Sequence, residues 1–303
     1  MKIINTYIIP TLNNVDGLVK LVNSLYKYTP PNFNIISIFN GTDNDFRAAK
    51  AVLGDKVHLW VRPYRNLGFG KSMNLGIKLA TTEYVTLAND DVEVIYDTWW
   101  QEVVDLFDHN PSLGAFNPHS FINKRHTGDR AIQYEIKDKY SQEDIEAMKK
   151  VFHAEQWYTG CCTFFTICKR SMFDQIGLFD ESFGLGSGED YDLCVRAAHA
   201  GILICGGSKV MVKHWWGNTK DNLPKDMDTS NFALIQGGNQ NMTRKWGEHV
   251  DEVKRQLADG RMTQEHADSI NGGWAPSHGG PLEPLDKDMV DYPDGKFYQI
   301  VDL

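Results

Sequence analysis

Tyr84-Val85-Thr86-Leu87-Ala88-Asn89-Asp90-Asp91 is the stretch that decides the fold class. Its first five residues read as a strand, and the strand runs directly into an amide and two carboxylates. Working back from it, Gly70–Ala80 reads as a helix and Val57–Val61 as a strand. Asp45–Leu53 reads as a helix, and Asn34–Phe39 as a strand ended by Asn40-Gly41 turn chemistry. Asp16–Tyr28 carries Leu18, Leu21, Val22 and Leu25 at helical spacing, and Ile3–Pro10 is a further strand stopped by its proline. Strands alternating with helices predict βαβ units and a parallel sheet, with right-handed crossovers placing helices on both faces. Ligands of such sheets sit beyond the carboxyl ends of the strands. The polar clusters Thr11–Asn14, Asn40–Asp45 and Asn89–Asp91 each follow a strand, so they share one edge, the predicted nucleotide site.

Working forward, the pattern changes after Trp99. Residues 117–160 are polar and irregular, with a helix predicted over Gln142–Phe152. Helices are predicted over Ser171–Ile176 and Tyr191–Ala200, and short strands over Ile202–Ile204 and Lys209–Val212. From about Asn231 one or two helices are expected, including Asn239–Leu257, and Gly272–Gly295 is a Gly/Pro-rich extended or wrapping segment.

The composition is that of an ordinary globular protein: 303 residues, 42% hydrophobic, formal charge −9. The acidic balance argues against a nucleic-acid-coating protein, although it leaves a local basic groove open. The most apolar stretches are strand-length, so no membrane span is expected, and no signal peptide is evident. The five cysteines, Cys161, Cys162, Cys168, Cys194 and Cys205, show no CxxC spacing, so buried reduced thiols in a cytoplasmic protein are expected.

Four motifs carry candidate chemistry. Asn89-Asp90-Asp91 at a strand end offers oxygen ligands to Mg²⁺ or Mn²⁺, or merely caps the strand. His214, after Val210-Met211-Val212-Lys213, can complete a Mn²⁺ site or be a hydrogen-bonded strand-end residue. Gly186-Ser187-Gly188-Glu189-Asp190-Tyr191-Asp192 puts acidic residues at a helix start, where they cap free N–H groups. Asp190 is also a candidate general base for an acceptor hydroxyl. Arg65-Asn66-Leu67-Gly68-Phe69-Gly70-Lys71 places glycines before a helix, where backbone N–H groups can approach a phosphate. It matches neither GxxxxGK[ST] nor GxGxxG.

Taken in order, these pieces resemble family 2 glycosyltransferases and their relatives with the GT-A fold. Ile8-Ile9-Pro10-Thr11-Leu12-Asn13 is similar to their opening strand and nucleotide loop, and Asn40-Gly41-Thr42-Asp43 to the second nucleotide-contacting turn. Asn66-Leu67-Gly68-Phe69-Gly70 with Asn74 and Gly76 resembles the donor-site segment, which here includes Lys71. Asn89-Asp90-Asp91 stands at the DxD position, with asparagine for the first aspartate. Ile176-Gly177-Leu178-Phe179-Asp180-Glu181-Ser182-Phe183, followed by Glu189-Asp190 and Asp192-Leu193-Cys194-Val195-Arg196, is similar to the acceptor-side signature. His214 falls at a metal-binding histidine.

The resemblance spans residues 3–219. It implies an α/β GT-A domain over 1–219, with a Rossmann-like, mostly parallel central sheet flanked by helices. The nucleotide-sugar half would be about 1–115 and the acceptor half about 116–219, leaving 220–303 as accessory helices and tail. It implies a nucleotide diphosphate sugar donor (UDP- or dTDP-sugar) contacted by Pro10, Thr11, Asn13, Asn40, Asp43, Asn66, Gly68, Lys71, Asn74, Asn89 and Asp90. Asp91 and His214 would hold Mn²⁺ or Mg²⁺, Asp90 would face the donor sugar or ribose, and Asp190 would be the base of an inverting transfer. Glu189 would position the acceptor or the base. Trp215 and Trp216 would stack on a sugar face, close over the diphosphate or belong to the core. Three readings of the whole stay open: transfer to a surface polysaccharide or glycan, transfer to hydroxymethylated bases in DNA, and non-catalytic nucleotide-sugar binding.

Overall fold

The structure, a computed structural model, describes residues 4–122, 137, 139–151, 155–156, 163–186, 188–215, 240–242, 244–247 and 298–301. Trp216, Cys161, Cys162 and Gly272–Gly295 lie outside these residues, and so does most of the helix expected over Asn239–Leu257.

The first half follows the expected alternation. It runs β1 (Asn5–Thr11), α1 (Val15–Tyr28), β2 (Phe33–Phe39), α2 (Asp43–Leu53), β3 (Leu59–Pro63), α3 (Gly68–Leu79) and β4 (Tyr84–Ala88). Strands β3, β2, β1 and β4 lie side by side and parallel. Thr11, Phe39 and Ala88 therefore end at one edge, and the polar turns after them converge there. The strands alternate their burial between the two faces. Tyr7 and Ile9 pack under α1, α2 and α4 (Trp99–His109), while Ile8, Ile36 and Ile38 pack under α3, α6 (Arg170–Ile176) and α7 (Glu189–His199). Each such fully buried aliphatic side chain contributes ~2 kcal/mol. Helix α3 approaches β1 so closely that a Cβ on Gly76 would lie 2.2 Å from Ile8 Cγ2.

The second half departs from the expected pattern. Beyond β5 (Val92–Val94) and α4, the stretch expected to be irregular begins with a long strand, β6 (Leu113–Ile122). Helix α5 (Gln142–Val151), the two-residue β7 (Glu155–Gln156) and β8 (Phe165–Lys169) follow. Strand β8 inserts antiparallel between β4 and β6, and its residues Phe165, Ile167 and Cys168 are fully buried. The two short strands expected near 202–212 are one strand, β9 (Leu203–His214), parallel to β6 and antiparallel to β5. Its register on β6 jumps from Pro118↔Gly207 to His119↔Met211. The irregularity falls between Gly207 and Met211, in the gap between the two expected short strands. A last strand, β10 (Tyr298–Val301), pairs antiparallel with β3 and covers the sheet's edge. The described sheet thus runs β10-β3-β2-β1-β4-β8-β6-β9-β5, and the chain's final segment belongs to it.

Candidate active site

Three turns build the expected donor edge, and backbone contacts fix them. The Asn40 N–H donates to Thr11 O at 2.6 Å, and a Cβ on Gly41 would sit 1.6 Å from Leu12 O. Only glycine fits there, so the turns after β1 and β2 touch. Asn40 is the hub: its Oδ1 accepts from Leu67 N at 3.0 Å, and its Nδ2 donates to Ile38 O and to Ser72 Oγ. Asn66 Oδ1 accepts from Gly68 N at 2.9 Å, and Phe69 N donates to Leu185 O at 3.0 Å. The N–H groups of Leu67, Gly68 and Phe69, entering α3, are thus bonded within the protein. Gly68 has φ +74, and a Cβ there would lie 2.6 Å from the Leu185 Cα, so both backbone and space require glycine. Lys71, in the first turn of α3, points its ammonium to within 3.9 Å of Glu181.

The remaining donor-edge residues divide by what their side chains touch. Asp43 opens α2 and is exposed, and its carboxylate pairs with Arg62 at 2.7 Å. That guanidinium also donates to Gly41 O at 2.9 Å and lies over the Phe46 ring, so it holds the whole turn. Pro10 and Asn13 are half-buried on the same edge. The Thr11 hydroxyl is buried and has no hydrogen-bond partner among the described residues. Asn74 is turned away from this edge. Its amide brackets Phe179, donating to Phe179 O and accepting from Phe179 N, both at 2.9 Å, and it also donates to Glu181. It joins α3 to the acceptor-side segment.

At the end of β4, Asp90 is buried and its Oδ1 accepts from Asn14 Nδ2 at 3.2 Å. Asn14 in turn caps α1 by accepting from Gly17 N, which sets the carboxylate against the positive end of that helix. A Cβ on Gly17 would lie 2.4 Å from Asp90 O. Asp91 points to the other side, where β5 and β9 pair Val92 with His214. Its Oδ1 lies 3.1 Å from His214 Nε2, and both residues are buried. An octahedral cation with bonds of about 2.1 Å sets adjacent ligand atoms about 3 Å apart. The pair therefore fits two neighbouring positions of one coordination shell. Among the described residues no group of three or more His, Cys, Asp or Glu side chains gathers. Among the described residues, two side chains could thus serve as ligands, and Mg²⁺ and Mn²⁺ sites in phosphate chemistry commonly take their remaining positions from water and substrate oxygens.

Residues 163–164 tie the acceptor side to this centre. The Phe164 carbonyl accepts from Asn89 N at 2.8 Å, and the Phe164 ring stacks on His214 with centroids 4.7 Å apart. Thr163 N–H donates to the carboxylate of Asp190, in the first turn of α7. Burial pushes the Asp190 carboxyl above its ordinary pKa, partly offset by the N–H bonds from Tyr191 and Thr163. A carboxylate so raised suits a general base. Glu189 is buried beside α3: a Cβ on Gly70 would lie 3.9 Å from its Cγ.

Trp215 is occupied by the protein. Its N–H donates to Asp91 O, its indole N–H donates to Glu93 at 2.5 Å, and Lys213 lies 4.1 Å over its ring. Sequence reasoning did not single out Asn14, Arg62, Glu93 or Phe164. Asn14 alone left a signal, an N-cap residue ahead of a periodic helix.

A family model described as glycosyl transferase family 2 matches residues 6–177. An uncharacterised glycosyltransferase of Rickettsia typhi is 26% identical over 200 residues, covering 62% of this chain and 58% of the relative. A second, from Rickettsia conorii, is 24% identical over 194 residues, covering 61% of this chain and 30% of the relative. The chain therefore spans about a third to a little over half the length of these relatives. Among solved structures, GalNAc-T7 with UDP, GalNAc and Mn²⁺ superposes with a TM-score of 0.56 at 13% identity, covering 71% of this chain and 44% of that one. The mannosyltransferase PcManGT of Pyrobaculum calidifontis, in complex with GDP-Man and Mn²⁺, gives 0.53 at 17% identity, covering 91% and 66%. These structural likenesses show the fold, and the family match, over more than half of the chain, shows that this protein belongs to glycosyl transferase family 2, with the GT-A fold its motifs imply.

Proposed function

We propose that this protein is a metal-dependent, inverting glycosyltransferase that moves a sugar from a nucleotide diphosphate sugar to an acceptor hydroxyl. The observation that carries the reading is the meeting of Asp91 and His214 at 3.1 Å beside the donor edge, one short segment away from the raised carboxyl of Asp190. A divalent cation held by Asp91 and His214 would supply positive charge against the departing diphosphate. Asp190 takes the proton of the acceptor hydroxyl as the new bond forms on the face opposite the leaving group, which inverts the anomeric centre. Asp90, held by Asn14, faces the donor sugar or ribose, and the buried Thr11 hydroxyl finds its hydrogen-bond partner in the donor. Glu189 keeps the α7 turn against Gly70 and so aligns the base with the donor.

The acceptor is proposed to be a carbohydrate hydroxyl. The formal charge of −9 disfavours a duplex partner. Two solved neighbours of the same fold hold a nucleotide or nucleotide sugar together with Mn²⁺, which supports the donor class and the metal.

The test is hydrolysis of a panel of UDP-, dTDP- and GDP-sugars with Mn²⁺ and with chelator. Slow, chelator-sensitive release of one nucleotide is expected. No release from any donor, with no thermal stabilisation by nucleotide and Mn²⁺, sinks the reading in favour of a protein without transferase function. A gel shift on hydroxymethylated DNA, absent on unmodified DNA, would move the acceptor from carbohydrate to nucleic acid.

A further inference from the structure

Helical residues 240–242 and 244–247 lie far along the chain from Asp190, yet Lys245 and Trp246 reach the helix that carries it, while Asn241 and Arg244 reach Ser182. Asp192 is fully buried in the first turn of α7, two residues beyond Asp190. Arg196, one turn on, holds its Oδ2 at 2.9 and 3.0 Å. Its Oδ1 accepts from the Trp246 indole N–H at 2.9 Å and lies 2.7 Å from the Lys245 ammonium. The same ammonium reaches Asp180 Oδ2 at 2.6 Å. Asp180 caps the single turn Glu181–Phe183, accepting from Ser182 N at 2.9 Å. Burial alone would raise the Asp180 carboxyl, but the bonds from Lys245 and Ser182 outweigh it and bring it down to about 2. Trp246 is itself buried and packs on Val195 of α7.

One lysine thus joins two carboxylates from the segments on either side of Glu189-Asp190. Two acids and two bases balance in a cluster whose Asp192–Arg196 half is buried and whose Lys245–Asp180 half is partly exposed; at the buried Asp192 an uncompensated charge is strongly disfavoured.

We infer that Lys245 and Trp246 are positioning residues: they brace α7 against the 180–183 turn and fix the rotation of the turn that presents Asp190. Neither touches a reacting atom. The inference rests on the reading of Asp190 as the base.

The test compares full-length Lys245→Met, Lys245→Arg and Trp246→Phe with the unaltered protein, with Asp190→Asn as reference. Two quantities are read. One is amide hydrogen exchange over 188–199 against 68–79. The other is the turnover rate for hydrolysis of whichever of UDP-glucose, UDP-N-acetylglucosamine or GDP-mannose is cleaved in Mn²⁺, alongside the Kd of the matching nucleotide. Lys245→Met is expected to speed exchange in α7 alone. It should lower turnover tenfold or more, in the range that a misplaced catalytic group gives, while nucleotide Kd stays within about twofold. Lys245→Arg should recover most of the loss, and Trp246→Phe, which keeps the ring and removes the N–H, should show a smaller one. Unchanged exchange and turnover in Lys245→Met overturn the inference. If that variant does not fold, unchanged exchange and turnover in Trp246→Phe do the same. If Asp190→Asn is inactive while Lys245→Met is unaffected, the brace falls and the base stands. If Asp190→Asn turns over normally, the base reading falls, and faster exchange confined to α7 still supports the brace.

Discussion

At the donor edge, Thr11, Asn40, Asn66 and Asn89 follow parallel strands in chain order, and the bonds that join the first three turns link residues about 30 apart. On the acceptor side, the turn carrying Glu189 and Asp190 is held by partners much farther off. Asn74 brackets Phe179 across 105 residues, Phe69 bonds Leu185, and Trp246 bonds Asp192 across 54. The first region is shaped by backbone direction and close glycine contacts, the second by individual side chains. Damage to the two should therefore look different. Donor-edge changes should weaken nucleotide binding, and acceptor-side changes should slow turnover while leaving binding alone.

The sharpest break is expected from Asp91→Asn. It removes the carboxylate of the Asp91–His214 pair, and both metal-dependent nucleotide binding and hydrolysis should drop, the latter roughly 10³-fold. Retained Mn²⁺-dependent stabilisation in a thermal melt would count against the pair as a metal site.

Asp190→Asn should slow turnover roughly 10²-fold with nucleotide Kd unchanged, which separates the two regions directly. It also carries a stability signature. Because burial raises the Asp190 pKa, the folded chain keeps a proton that the unfolded chain releases earlier. Ionising Asp190 thus costs stability, and the cost is absent below the ordinary carboxylate range of about 4 and complete above the raised value. The variant should melt at a higher temperature than the unaltered protein near pH 8, and the gain should vanish on acidification. An equal gain at every pH would contradict the burial argument. By the same sign, the acid limb of turnover should lie above the ordinary carboxylate range.

Gly17→Ala tests the backbone-built region. The new Cβ would meet Asn14 and Asp90 O, and an expected loss of about 1–3 kcal/mol should appear in chemical denaturation, together with weaker nucleotide binding. Wild-type stability and binding would mean that the approach of α1 to Asp90 is not a constraint. The smallest effect is expected at the joint between the regions. Phe164→Leu removes the stack on His214 but leaves the backbone bonds of residues 163–164 in place. Turnover should fall by only a few-fold, in keeping with about 0.5–1.5 kcal/mol for an aromatic contact, and a loss comparable to that of Asp190→Asn would make Phe164 far more than a joint.

Much of this was legible beforehand. The helix and strand periods of residues 5–88 gave β1 to β4 and α1 to α3 within a few residues of their observed limits. After Trp99 the helices α5, α6 and α7 were legible to within a residue or two, but the strands β6 and β8 between and around them were not, and β5, just before, is only three residues long, too short for any period to show. Strand β9 carries an irregularity between Gly207 and Met211, which divides it in the sequence into two short apolar runs. Strand β8 lies antiparallel inside a sheet whose first four strands run parallel. Of the site residues, Asp90, Asp91, Asp190 and His214 stood out in the sequence. Their supports Arg62, Phe164, Lys245 and Trp246 did not, since an ordinary arginine, lysine or aromatic residue shows its partner only once the chain is folded.

What the sequence determined by itself is the order of strands and helices in the first half, and with it the edge where the polar turns gather. Right-handed crossovers allow little choice once the alternation is set. Only the tertiary structure decided that Asp91 meets His214, because that meeting depends on the antiparallel register of β5 on β9. It also decided that Thr163 reaches Asp190 and that Lys245 closes on Asp180 and Asp192. Each is a contact between segments far apart in the chain, fixed by register and packing rather than by local residue preference.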